Sequence, residues 1–236
     1  MGNNILDTAE TCGNPLLRNR KTLDEAKERK RSRIAKIAED LRYGRKVTDF
    51  RFDQIYPSQI RKHSETHWTP VEVALRAAEL LAIHPKTRVL DIGSGCGKFC
   101  VIGAMSTPGQ FIGIEQRPFL VQCAQEIAKQ WKVQRACFLH GDMANVDWNF
   151  FDAFYLFNPF YEHRMMDLRI DDTICYDEMK YTRSIRAVES YLKVARVGTR
   201  VVTYHGFGGE IPPGYECIQK ERGGTGTIEL WVKVSE

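Results

Sequence analysis

Apolar and polar positions along this chain alternate between two rhythms. Short, nearly unbroken apolar runs predict buried strands at 88–92, 110–115, 136–141, 151–157 and 199–205. Between them the apolar period lengthens to three and four, predicting helices near 97–105, 117–131 and 178–195. A closing hairpin follows, its second strand at 227–234. Because crossovers between parallel strands are right-handed, this order implies an α/β fold with a doubly wound, mostly parallel sheet. Upstream, Thr69-Pro70-Val71-Glu72 has the form of a helix start, with Thr69 as N-cap and Glu72 closing the box. The stripe Val71, Ala74, Leu75, Ala78 and Leu81 then predicts a helix over 70–83 packed on the sheet.

The N-terminal quarter reads differently. Residues 1–20 lack periodicity and are expected to be flexible. A helix is predicted from Thr22, where Thr22-Leu23-Asp24-Glu25 resembles a capping box, to a stop at Gly44. Its apolar stripe (Ile34, Ile37, Ala38, Leu41) is narrow. Residues 47–68 alternate weakly at Phe50, Phe52 and Ile55 before turning polar, as a connecting lid would. The expected organisation is an N-terminal arm and lid over 1–66 and a core domain over 67–236.

Charge sharpens that division. The chain carries +4 overall, but residues 17–46 hold twelve bases against five acids, a local +7 that leaves about −3 elsewhere. Two readings of this arm stay open: a solvated helix, or a surface for an acidic partner such as nucleic acid. No run of apolar residues is long enough to cross a membrane, and the N-terminus lacks a signal-peptide pattern. The seven cysteines include no Cys-x-x-Cys pair, which points to free thiols, a cytoplasmic setting and no metal site.

The chemistry concentrates at 89–97, Val89-Leu90-Asp91-Ile92-Gly93-Ser94-Gly95-Cys96-Gly97. An apolar strand breaks into alternate glycines and then opens a helix, the geometry of a nucleotide-like site at the carboxyl end of a sheet. Dinucleotide folds space these glycines as Gly-x-G-x-x-Gly; here the spacing is Asp-x-Gly-x-Gly-x-Gly. In this it resembles the class I S-adenosylmethionine (SAM) methyltransferases, whose fold is a seven-stranded sheet with its last strand inserted antiparallel. The resemblance covers roughly residues 67–234. It implies SAM as cofactor, with Gly93, Ser94, Gly95 and Gly97 forming the loop and Asp91 near the methionine amino group. Glu115, with Gln116 beside it, ends the second strand, where the family binds the ribose hydroxyls. Asp142 and Met143 end the third, where the family binds the adenine. The plainer alternatives are that Glu115 and Asp142 cap the following helices and that the glycines serve only the turn.

The fourth strand ends Asn158-Pro159-Phe160-Tyr161. This is similar to the Asn-Pro-Pro-Tyr motif of amino-methyltransferases, in which the Asn oxygen and a proline carbonyl accept from the target amine. Phe160 replaces the second proline, and Phe160 and Tyr161 serve equally well as core under a long loop. His67-Trp68-Thr69-Pro70 resembles the segment that closes over SAM in adenine-specific DNA methyltransferases, implying roles for Trp68 and Thr69. A second resemblance is to non-SET histone lysine methyltransferases. There a base would have to deprotonate the lysine, and Glu162 and His163 are the nearest in sequence. The expectation is a SAM-dependent N-methyltransferase whose acceptor, in nucleic acid, protein or a small molecule, is open. A SAM-binding regulator without activity and, more remotely, a nicotinamide oxidoreductase are the alternatives.

Overall fold

A computed structural model of the protein describes residues 15–175 and 177–236. Two compact units divide between Lys36 and Ile37. The first includes most of helix α1 (Pro15–Arg42). This helix begins seven residues before the predicted Thr22. Pro15 explains the difference, since proline is pre-organised for a first helical position, and Thr22 lies within the helix. Part of the stretch expected to be flexible is therefore helical, and residues 1–14 lie outside the described residues. From Asp24 to Arg33 every side chain is exposed, and Asp24–Lys27, Glu25–Arg29 and Glu28–Arg31 face each other at 3.9–4.0 Å along the helix. Such pairs are worth only a few tenths of a kcal/mol.

The second unit opens with the end of α1, where Ile37, Ala38 and Leu41 are buried and Gly44 adopts φ +63° beyond the last turn. Residues 47–68 then form single-turn helices α2 (Asp49–Phe52), α3 (Ser58–Arg61) and α4 (Ser64–His67). Each is too short for an apolar period to show. Phe52, Tyr56, Ile60 and Trp68 are buried, while Phe50 points out. Lys98 holds this segment down: its Nζ donates to Asp49 at 2.6 Å and Asp53 at 2.8 Å. Helix α5 (Val71–Leu81) follows as predicted, with Leu81 and its alanines buried. Its start differs in detail. Pro70 occupies the N-cap, Asp49 accepts the Val71 N–H, and the Thr69 hydroxyl is engaged by Tyr155 at 3.1 Å. Glu72 accepts from Gly224 N–H.

The sheet contains β1 (Arg88–Ile92), β2 (Gln110–Glu115), β3 (Ala136–His140), β4 (Ala153–Leu156), β5 (Arg200–Tyr204), β6 (Tyr215–Gly223) and β7 (Gly226–Lys233). Helices α6 (Lys98–Ser106), α7 (Pro118–Gln130) and α8 (Glu178–Val194) connect it. The strand order is β3-β2-β1-β4-β5-β7-β6; β1 to β5 run parallel and β7 inserts antiparallel beside β5. This is the seven-stranded, mostly parallel architecture that the pattern predicts. Leu90, Ile92, Phe154, Leu156 and Val201 join Val188 and Leu192 of α8 in one apolar core. Truncating such a residue to alanine costs about 2–5 kcal/mol. The winding direction reverses between β1 and β4, so their carboxyl ends part into a crevice. Among the described residues no helix is long and apolar enough to cross a membrane.

Candidate active site

That crevice opens into a cavity of about 350 Å³, within the range of small-ligand sites. Of the predicted residues, Trp68, Gly93, Gly95, Glu115, Gln116, Met143, Asn158, Pro159, Phe160 and Tyr161 line it. Asp91, Ser94 and Thr69 line a smaller adjoining space that shares Trp68 and Gly93. Gly97 and Asp142 line neither. Gly97 caps α6 at φ +78°, and Asp142 Oδ1 accepts the Ala144 N–H at 3.0 Å, the capping use open to it from the sequence.

The turn is fastened from behind. Gly93 and Ser94 N–H groups both donate to the Ile114 carbonyl at 3.0 Å. Glu115 Oε2 accepts from Gly95 N–H at 3.1 Å, and Oε1 from Arg117 N–H at 2.9 Å. Gly95 has φ +53°, and a Cβ there would come within 2.6 Å of the Trp68 ring. Only glycine satisfies both demands. Trp68 is itself held by its indole N–H on the Ile60 carbonyl. Asp91, by contrast, accepts only from the Cys100 thiol at 3.4 Å, so Glu115 and Ile114, not Asp91, secure the loop.

Burial sets the electrostatics. It pushes the Asp91 carboxyl up to about 7, with the Glu115 charge adding to it and Cys100 opposing. Burial also raises Glu115, against the Arg117 and Gly95 N–H groups and the Arg117 charge. The buried Arg117 guanidinium reaches Glu162 at 2.7 Å and Asp171 at 3.1 Å, binding the 158–174 segment to the end of β2. Nothing in the sequence signals this residue, because its partners lie 45 and 54 positions away. Glu162 also accepts the Ile170 N–H, so it is an anchor of the loop. Burial lowers His63, His67 and His163, favouring neutral imidazoles at this mouth.

At the end of β4, Asn158 takes a left-handed conformation, φ +39°. Its N–H donates to the Gly206 carbonyl at 2.8 Å, and its carboxamide bonds no described residue. Phe160 is both cavity wall and member of the apolar core; Tyr161 begins a single 3-10 turn. Two further lining residues escaped the sequence reading: His205, at the end of β5, and Thr225, in the β6–β7 turn. A polar residue closing a strand before glycine, as in Tyr204-His205-Gly206, is the signal that marks the first.

Residues 83–195, spanning β1 to β4 and both crevice walls, match the family model of a methyltransferase domain. The matched segment, just under half of the chain, is similar to methyltransferase domains. No curated protein matches the sequence. Among solved structures, an RNA methyltransferase from Salinibacter ruber in complex with S-adenosyl-L-homocysteine is 21% identical, with a TM-score of 0.53 over 71% of this chain and 94% of its own. TrmN from Thermus thermophilus is 18% identical, with a TM-score of 0.53 over 74% of this chain and 52% of its own. These likenesses establish the common fold.

The cavity's own geometry fits S-adenosylmethionine as cofactor. Two backbone N–H groups occupy only half of the roughly four lone-pair sites of Glu115, leaving acceptor capacity at the cavity for vicinal hydroxyls. Ser94 Oγ is buried without a partner, a polar atom that a ligand would satisfy. Ile92, Ile114, Met143 and Phe160 supply apolar walls for a flat ring.

Proposed function

We propose that this methyltransferase transfers the methyl group to a nitrogen, with Asn158 and the Pro159 carbonyl positioning the acceptor amine. The observation that carries this reading is Asn158 itself. A non-glycine residue held at φ +39° is a conformation that costs energy and persists where the surroundings enforce it, commonly at functional sites. Its carboxamide is unbonded and lines the same cavity as Glu115. Glu115 and the loop at 93–97 would hold the ribose and methionine parts of SAM, Met143 and Ile114 the adenine, and Asp91 the methionine end. Bound SAM supplies an already activated methyl group. The chain's own task is to align the nitrogen and exclude water.

RNA is the acceptor we favour. Two proteins of the same fold, the Salinibacter ruber enzyme and the 16S rRNA methylase RmtB, are RNA methyltransferases, and the support from this chain is the basic helix α1, whose Lys27, Arg29, Lys30, Arg31 and Arg33 are all exposed. Phosphate contacts by such a stripe are what long anionic polymers require. The test is incubation with labelled SAM of total RNA and total protein from cells lacking this enzyme. Label in N-methylated bases supports the reading. Label confined to protein lysine moves it to the lysine-methyltransferase alternative, and none in either fraction refutes catalysis on macromolecules.

A further inference from the structure

His205 holds a second strained position beside the first. It has φ +56°, on the strand next to Asn158, and the two strand ends are joined by the Asn158 N–H on the Gly206 carbonyl. Its ring is tightly seated. It packs edge-on against Tyr204 at 4.4 Å and lies 5.9 Å from the Phe157 ring. A Cβ at position 226 would come within 2.5 Å of Nε2, so Gly226 leaves the space that the imidazole fills. His205 Nε2 lies 3.3 Å from Thr225 Oγ1, and Thr225 is fixed in turn by its N–H on the Tyr204 hydroxyl at 3.2 Å. Both His205 and Thr225 line the cavity. No described residue bonds His205 Nδ1.

Three of the other acid–base groups that line the cavity are committed elsewhere. Glu162 is ion-paired with Arg117, and His163 Nδ1 accepts the Asp177 N–H at 3.4 Å. His67 is bonded to the Leu168 carbonyl, and burial disfavours its protonation. His205 is exposed and can pass a proton on to water.

We infer that His205 is a further catalytic residue of the acceptor side: Thr225 Oγ1 accepts its Nε2–H, and its unprotonated Nδ1 takes the proton released by the acceptor nitrogen. The inference rests on the N-methyl transfer proposed above. The nitrogen lone pair forms the new N–C bond as the S–C bond breaks, the departing pair staying on sulfur. The nitrogen then loses its N–H proton to Nδ1, which restores a neutral product and leaves an imidazolium to be discharged by water. Imidazole is the side chain suited to this exchange near neutral pH, and such a base contributes roughly 10²–10⁴-fold.

Two measurements test it. Nitrogen NMR of the histidine-labelled full chain reads the tautomer without any acceptor. An Nε2–H tautomer at His205 is expected, and an Nδ1–H tautomer would overturn the inference. In labelled-methyl transfer to RNA, His205→Ala and His205→Gln should both lose at least roughly tenfold in turnover, while calorimetric affinity for S-adenosylhomocysteine stays within about twofold. The glutamine can keep a bond to Thr225 but cannot take the proton. Wild-type turnover in either variant, or a matching loss of affinity, would overturn it. A wild-type enzyme that leaves RNA unlabelled refutes the acceptor reading instead, and the tautomer still decides His205.

Discussion

The two ends of the cavity are built on opposite terms. At the cofactor end every support is in place: the loop N–H groups rest on Ile114 and Glu115, and Gly95 lies against Trp68. At the acceptor end the backbone is held in left-handed turns at Asn158 and His205, while polar atoms of both side chains have no described partner. A preformed pocket selects one ligand, and strained, unpaired groups keep their bonding capacity for the reacting one. On the function proposed above, the contrast assigns affinity to one end and turnover to the other.

Substitutions can break that contrast, and the largest effect belongs to Glu115→Ala. It removes the acceptor of two backbone N–H groups together with the ribose contacts proposed for it. Charged hydrogen bonds are worth about 1.5–3 kcal/mol each, so affinity for SAM should fall by roughly 10²–10⁴-fold in calorimetry. Asp91 gives the next effect, in stability. Its folded carboxyl titrates at about 7 against an ordinary 3.8, so between those values the native state holds a proton that the unfolded chain has lost. Native stability therefore falls as pH rises through this window and levels above it, by a ceiling of about 4 kcal/mol. Asp91→Asn should flatten that fall in urea unfolding at pH 4.5 and 8. Asn158→Ala should lower turnover by roughly 10–100-fold with affinity for SAM unchanged. Asn158→Gly should lower turnover too while raising stability by about 0.5–1 kcal/mol, since glycine accepts positive φ freely. The smallest effect concerns the arm. Reversing Lys27, Lys30, Arg31 and Arg33 to Glu should leave SAM affinity intact and reduce the salt slope of RNA binding by about 3, at roughly 0.7 per phosphate contact.

What the sequence discloses follows from where its signals are local. The strands at 88–92 and 110–115 are apolar runs between glycine turns, and the structure has them at those residues. The loop at 93–97 and the acid ending β2 are written in order and spacing, and folding brings Gly93, Gly95 and Glu115 to one cavity. The one-turn helices of 49–67 are not, because four residues cannot display a helical period. Thr69 misleads for a different reason: its hydroxyl goes to Tyr155, 86 positions away, where the local pattern expects a cap. Arg117, Lys98 and His205 acquire their meaning only from partners or backbone angles that folding supplies.

The central claim is that Asn158 serves turnover at a nitrogen while Glu115 serves binding. It is tested most directly by one paired experiment: labelled-methyl transfer from SAM to RNA by the wild-type chain and by Asn158→Ala, with the modified base identified by mass spectrometry. The account predicts an N-methylated base from the wild type and a rate lower by roughly 10–100-fold in the variant, at equal SAM affinity. A variant as fast as the wild type, or a methyl group found on oxygen or carbon, would contradict it.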